Sequence, residues 1–118
     1  MTLAQQRLAD YLGHILEAID RIDRYTKDMD EAGFLGTSLV QDAVIRNLEV
    51  IGEASHNITK HHPGFAQARP DLPLSFAYQM RNAIAHGYFK VDFAIVWRTI
   101  QRDLPSLRTQ VQQSLKGL

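Results

Sequence analysis

Four chemically useful side chains fall within eight residues of this chain, namely those of Arg81, Asn82, His86 and Tyr88. An imidazole titrates at about pH 6.5, so it can accept or donate a proton at neutral pH. A guanidinium stays charged and can bind a phosphate through two parallel hydrogen bonds. An arginine and a histidine together can therefore cleave RNA without a metal. The imidazole moves the proton of the ribose 2′-hydroxyl, and the guanidinium stabilises the negative charge that develops on the phosphate.

The spacing of these residues restricts how they can meet. Asn82 and His86 are four residues apart and share one face of a helix. Arg81 and His86 are five apart, about 140° around the helix axis, so they converge only near a helix end or where two molecules meet. A twofold dimer would place two such pairs in one groove. A simpler interpretation stays open, in which Arg81 forms a surface salt bridge and His86 caps the helix beside Gly87.

Two further groups of residues deserve a chemical interpretation. Glu53, on a second predicted helix, is a candidate to pair with Arg81 or to orient His86, and it is equally well explained as a solvent-facing carboxylate. His61 and His62 are adjacent, so on a helix their side chains point about 100° apart, and no third ligand is evident. We therefore expect no metal site and no cofactor.

Composition sets limits on the class of protein. The chain of 118 residues has the length of one domain, which we assign to residues 1–118. Thirteen basic and thirteen acidic residues balance, so contact with a nucleic acid requires a local basic cleft. The absence of cysteine excludes disulfides and thiolate metal sites. No apolar run approaches the roughly 20 residues of a membrane span, and no secretory signal is visible, so we expect a cytoplasmic protein.

Helical periodicity dominates the chain and predicts an all-α, up-and-down bundle of four to five helices. The predicted helices cover about residues 2–27, 38–62, 73–86, 92–104 and 105–116, and residues 28–36 and 63–73 are predicted connections. Asp92 is expected to cap the fourth helix, and Pro105 to kink the chain or open a fifth.

Three local details follow from the same patterns. Ser38 with Gln41 three residues later is typical of a capping box at the start of the second helix. Phe34 and Leu35 are predicted to anchor the preceding connection to the core. Gly52, inside a strong helix, indicates a close approach between helices, either within the chain or in a tight dimer.

The ordered set of motifs resembles the HepT-like toxins of the HEPN superfamily. Residues 81–88 fit the Arg-x4-His-x-Tyr signature of that family, and the similarity covers nearly the whole chain. Its other landmarks, in order, are Gln41–Leu48, Ile51–Ala54, Pro73, Val91-Asp92, Ile95–Trp97 and Asp103–Leu107.

This resemblance implies a homodimeric, metal-independent endoribonuclease from a type II/VII-like toxin–antitoxin pair. Arg81 and His86 would correspond to the catalytic pair and Asn82 to the polar position beside the arginine. Tyr88 would correspond to the tyrosine that a minimal nucleotidyltransferase antitoxin adenylylates. Two alternatives stay open: a non-catalytic HEPN subunit that binds nucleotide or RNA and works through a nucleotidyltransferase, and a helical adaptor.

Overall fold

The computed structural model of the chain describes residues 2–86 and 91–118, and for Phe76, Ala85 and His86 it describes the backbone alone. These two ranges are built from helices and contain no strand, which confirms the all-α prediction. The helices are α1 (Leu3–Thr26), α2 (Glu31–Leu35), α3 (Ser38–His61), α4 (Pro63–Ala68), α5 (Leu74–His86), α6 (Phe93–Arg102) and α7 (Leu104–Lys116).

The predicted number of four to five helices is wrong, because two segments predicted as connections contain short helices of their own. The five longer helices lie where the periodicity placed them. The extra helix α2 forms because the Asp30 side chain accepts a hydrogen bond from the backbone N–H of Gly33 at 2.8 Å. The extra helix α4 starts with Pro63, a residue whose fixed backbone angle suits a first helical turn.

The predicted cap at the start of α3 is also wrong. Thr37 occupies the N-cap position, and Ser38 is already the first helical residue. The Gln41 amide instead donates to the backbone carbonyls of Phe34 at 2.9 Å and Leu35 at 3.0 Å. These carbonyls end α2, so the side chain that was expected to cap α3 satisfies the preceding helix.

Two other helix boundaries agree with the sequence. The Asp92 carboxylate accepts hydrogen bonds from the backbone N–H groups of Ala94 and Ile95, at 3.0 and 3.3 Å, and thereby caps α6. Pro105 lies in the first turn of α7, so it opens a fifth long helix. Both features depend on residues adjacent in sequence, which explains why they were predictable.

The core forms where α3 packs against α1 on one side and α5 on the other. Its largest fully buried side chains are Leu12, Ile15, Ile19, Ile22, Phe34, Val44, Ile58 and Val111. Phe34 is therefore an anchor as predicted, and its ring packs 5.3 Å from that of Trp97 between centroids. Leu35 is 46% exposed, so the prediction that it also anchors the segment is wrong.

The last helix, α7, packs against α1 and α6. Arg108 on α7 forms ion pairs with Asp20 and Asp23, which lie almost one turn apart on α1, and the contact with Asp20 is 2.7 Å. Within the described ranges, no helix is both long and apolar enough to cross a membrane.

Candidate active site

The position of Arg81 is set by an unusually close approach of α5 to α3 at Gly52. A Cβ atom built on Gly52 would lie 2.3 Å from the Cβ of Arg81 and 2.7 Å from the carbonyl oxygen of Ala77. Neither atom is the end of a flexible side chain, so only glycine lets the two backbones come this near. The close approach indicated by Gly52 thus occurs within the chain, and it seats Arg81 directly on α3.

The Arg81 guanidinium is held from two sides. Its Nη2 atom lies 3.4 Å from the Glu53 carboxylate, and its Nη1 atom donates to the Asn82 amide oxygen at 3.0 Å. A guanidinium has five N–H donors, and about a third of this side chain is exposed, so the guanidinium can still bind an anion. The structure therefore brings together Arg81, Asn82 and Glu53, three of the candidate site residues.

Glu53 orients Arg81 more than it stabilises the fold. Half of the Glu53 side chain is exposed, and an ion pair in such a position contributes at most about 1 kcal/mol. Of the interpretations left open for Glu53, the structure shows the pairing with Arg81. The carboxylate limits the orientations of the guanidinium, and a guanidinium that binds an oxyanion through two parallel hydrogen bonds does so in one geometry.

Two candidate site residues, His86 and Tyr88, lie at or beyond the end of the described part of the site. The α5 helix ends at His86, whose side chain lies outside the description, and Tyr88 lies outside the described residues altogether. The backbone nevertheless shows in which direction α5 runs along α3 beyond Arg81. Tyr78 stacks on His56 with centroids 4.1 Å apart, and Arg81 lies opposite Gly52, so α5 runs antiparallel to α3. His86 therefore follows Arg81 by about 7.5 Å along the helix axis, toward the first half of α3.

An open groove of about 380 Å³ lies beside Arg81. Its floor is one polar face of α3, and its walls come from α1 and from Arg81 on α5. Besides Arg81, the polar and aromatic side chains that line it are those of Tyr11, His14, Arg46, Glu49, Glu53 and Asn57.

This groove is not among the sites predicted from the sequence. One signal for it was present, because residues 46, 49, 53 and 57 form a polar stripe at helical spacing on a helix whose other face is apolar. The contribution of Tyr11 and His14 had no such signal, since they belong to another helix. Their proximity to Arg81 follows only from how α1 packs on α3.

The comparisons with known proteins agree on one family. The family model described as "Ribonuclease HepT-like" matches residues 15–114. A probable ribonuclease HepT of Thermococcus cleftensis is 39% identical over 107 residues, covering 91% of this chain and 94% of the relative. A putative RNase of Methanocaldococcus jannaschii is 31% identical over 110 residues, covering 93% of this chain and 98% of the relative.

A longer relative carries a second activity in its name. A gamma-glutamylcyclotransferase and putative RNase of Methanocaldococcus jannaschii is 36% identical over 108 residues. The match covers 92% of this chain but only 47% of that relative, so the chain spans about half of its length. No solved structure was found to match the chain. The family model and the full-length relatives agree, and the chain belongs to the HepT-like ribonuclease family.

Proposed function

We propose that the chain is a metal-independent endoribonuclease toxin that acts in the cytoplasm through Arg81 and His86. One observation carries the proposal: the Arg81 guanidinium is held by Glu53 and Asn82 beside an open groove, on the helix that ends at His86. Membership of the family and the names of its relatives support the choice of RNA as substrate.

The reaction requires only groups of this chain and of the RNA. His86 accepts the proton of a ribose 2′-hydroxyl, and the 2′ oxygen attacks the adjacent phosphorus. Arg81 stabilises the additional negative charge on the phosphate while the bond to the 5′ oxygen breaks. The 5′ oxygen then takes up a proton, from His86 or from the same histidine of a second subunit. The products are a 2′,3′-cyclic phosphate and a 5′-hydroxyl.

Cleavage in the presence of a chelator tests this function. We expect the purified chain to cut single-stranded RNA in excess EDTA and to leave 2′,3′-cyclic phosphate ends, which mass spectrometry of the fragments detects. The double variant Arg81→Ala/His86→Ala, prepared in the same way, controls for contaminating nuclease. RNA that is bound and not cut would instead support a non-catalytic HEPN subunit that binds nucleotide or RNA for a nucleotidyltransferase. Binding to neither RNA nor transferase would leave a helical adaptor.

A homodimer is the assembly that this chemistry favours, since one chain supplies a single Arg81 and a single His86. Two copies related by a twofold axis would place both pairs in a shared cleft and double its positive charge. Sedimentation equilibrium should give twice the 13.4 kDa mass of one chain at micromolar concentration. A monomer under those conditions would contradict the shared cleft.

We further propose that a minimal nucleotidyltransferase antitoxin silences the enzyme by adenylylating Tyr88. The phenol lies two residues beyond His86 in sequence, so an added adenylate would bring bulk and a negative phosphate to a site that binds RNA phosphate. In the transfer, the Tyr88 oxygen attacks the α-phosphorus of ATP and pyrophosphate leaves.

The variant Tyr88→Phe separates modification from cleavage. It lacks the attacking oxygen, so we expect it to cut RNA at the wild-type rate and to gain no adenylate when incubated with the transferase and ATP. Intact-mass measurement should show the added mass on the wild type and on the control variant, and not on Tyr88→Phe. An adenylate found on Tyr88→Phe would place the modification on another residue. Tyr25→Phe, which changes an exposed tyrosine of α1, is the matched control.

A further inference from the structure

A second groove continues the one beside Arg81. Its volume is about 350 Å³, and it lies where α1 begins and α3 ends. Its chemically relevant residues are Arg7, Tyr11, His61 and His62. Tyr11 lines both grooves, so together they form a single track along α3, with Arg81 beside its first part.

Planar side chains follow one another along this track. The ring of Tyr11 lies 6.4 Å from that of His14 and 6.1 Å from that of His62, in both cases edge to face. Tyr11 and His62 are half-buried, while His14 and His61 are exposed. The track therefore presents a series of flat rings fixed by one central tyrosine, an arrangement on which unpaired bases can stack.

The track is more basic than the chain as a whole. Its lining includes three arginines and three histidines, which are Arg7, Arg46, Arg81, His14, His61 and His62. The acidic residues of the two linings are Glu49 and Glu53, and Glu53 already neutralises part of the charge of Arg81. The full chain balances thirteen basic against thirteen acidic residues with histidine counted as neutral, and on the same count the two linings hold three arginines against two glutamates, a local excess of one positive charge.

We propose that this track binds the single-stranded RNA that flanks the cleaved phosphodiester, with bases stacking at Tyr11 and phosphates meeting Arg7. The proposal rests on the proposed function for its choice of RNA. From Arg46 to His61 the floor of the track is about 22 Å long, which is several times the separation of successive phosphates in a nucleic-acid strand. The track is thus long enough for several consecutive nucleotides, and RNA beyond the scissile bond contributes to binding.

Substrate length separates binding in the track from chemistry at Arg81. The test uses Tyr11→Leu, which keeps an apolar side chain against the core, with Tyr25→Leu on the exposed end of the same helix as its matched control. For an RNA of about 12 nucleotides we expect Tyr11→Leu to raise KM about tenfold or more and to leave kcat unchanged. A dinucleotide held at Arg81 is too short to extend along the track past Tyr11, so on this substrate Tyr11→Leu should be close to the wild type. Tyr25→Leu should match the wild type on both substrates.

A charge variant at an exposed position repeats the test without disturbing the core. Arg7→Gln should weaken binding of the long RNA and reduce the slope of log affinity against log salt by about 0.7, the value for one phosphate contact on a single strand. Arg21→Gln is its control, since Arg21 on the same helix pairs with Glu17. Affinity is measured on 2′-O-methyl RNA, which cannot be cut. Binding to the track is therefore measured independently of cleavage, and a chain that cuts no RNA can still show whether the track binds it.

Two results would overturn the proposal. One is wild-type affinity for the long RNA in folded Tyr11→Leu and in Arg7→Gln. The other is an equal loss of kcat/KM on the long RNA and on the dinucleotide, which would place the effect at the cleavage site. Thermal unfolding of each variant shows whether it is folded, and if Tyr11→Leu is not, Arg7→Gln decides the outcome.

Discussion

Replacing His86 with alanine should lower the rate of RNA cleavage by about 10²- to 10⁴-fold, the range that general acid–base catalysis by one side chain provides. The variant removes the proton acceptor and leaves Arg81 with its partners Glu53 and Asn82. Affinity for uncleavable RNA should therefore stay near the wild-type value while kcat falls. Single-turnover cleavage with enzyme in excess measures the chemical step directly. A His86→Ala rate within a few-fold of wild type would remove this residue from the mechanism.

Arg81, the other residue of the proposed catalytic pair, can be tested with its charge retained. Arg81→Lys keeps a cation near Glu53 and loses the planar fork that binds a phosphate at two points. Removing one donor that stabilises a developing negative charge commonly costs about 10²- to 10³-fold in kcat, and we expect a loss of this size. Arg102→Lys changes an arginine that is 79% exposed and paired with Asp103, and it should have no effect. Equal activity of the two lysine variants would contradict the role of Arg81.

A large effect is also expected from Gly52→Ala, which adds a single methyl group. The added Cβ cannot fit at 2.3 Å from the Cβ of Arg81, so α5 must move away from α3 or the helices must bend. Overpacking of this kind costs about 1–3 kcal/mol of stability. A shift of about 1 Å in a catalytic group can cost 10²-fold in rate, so cleavage should fall as well. Urea unfolding and cleavage assays, performed at a temperature where both proteins are folded, measure the two effects.

A second glycine provides the matched control. Gly13 lies inside α1, and a Cβ built on it would meet no other atom within 4 Å. Gly13→Ala should therefore raise the free energy of unfolding by about 1 kcal/mol, the difference in helix propensity, and leave cleavage unchanged. Opposite signs for the same substitution in two long helices would identify the α3–α5 contact as the cause. A Gly52→Ala variant as stable and active as wild type would show that this contact does not position Arg81.

Local sequence patterns predicted most of the helix boundaries correctly. They gave a wrong boundary where a side chain had a second possible hydrogen-bond partner. The cap at Asp92 and the position of Pro105 in the first turn of α7 were predictable because each depends on a few adjacent residues. The cap at Ser38 was predicted wrongly because the Gln41 side chain found carbonyl partners on the preceding helix. A capping pattern shows which bonds are available to a side chain, and tertiary packing selects among them.

Spacing along single helices was enough to predict the helical class, the five long helices and the eight-residue segment that is proposed to carry the chemistry. The packing of the helices, which the sequence did not reveal, brings Glu53 to Arg81 from another helix and puts Tyr11 and His14 beside the same groove. The physical reason is that helix periodicity gives the face of each residue and not the partner of that face. The register of α5 on α3 comes from the contact at Gly52, where a missing side chain allows the closest approach.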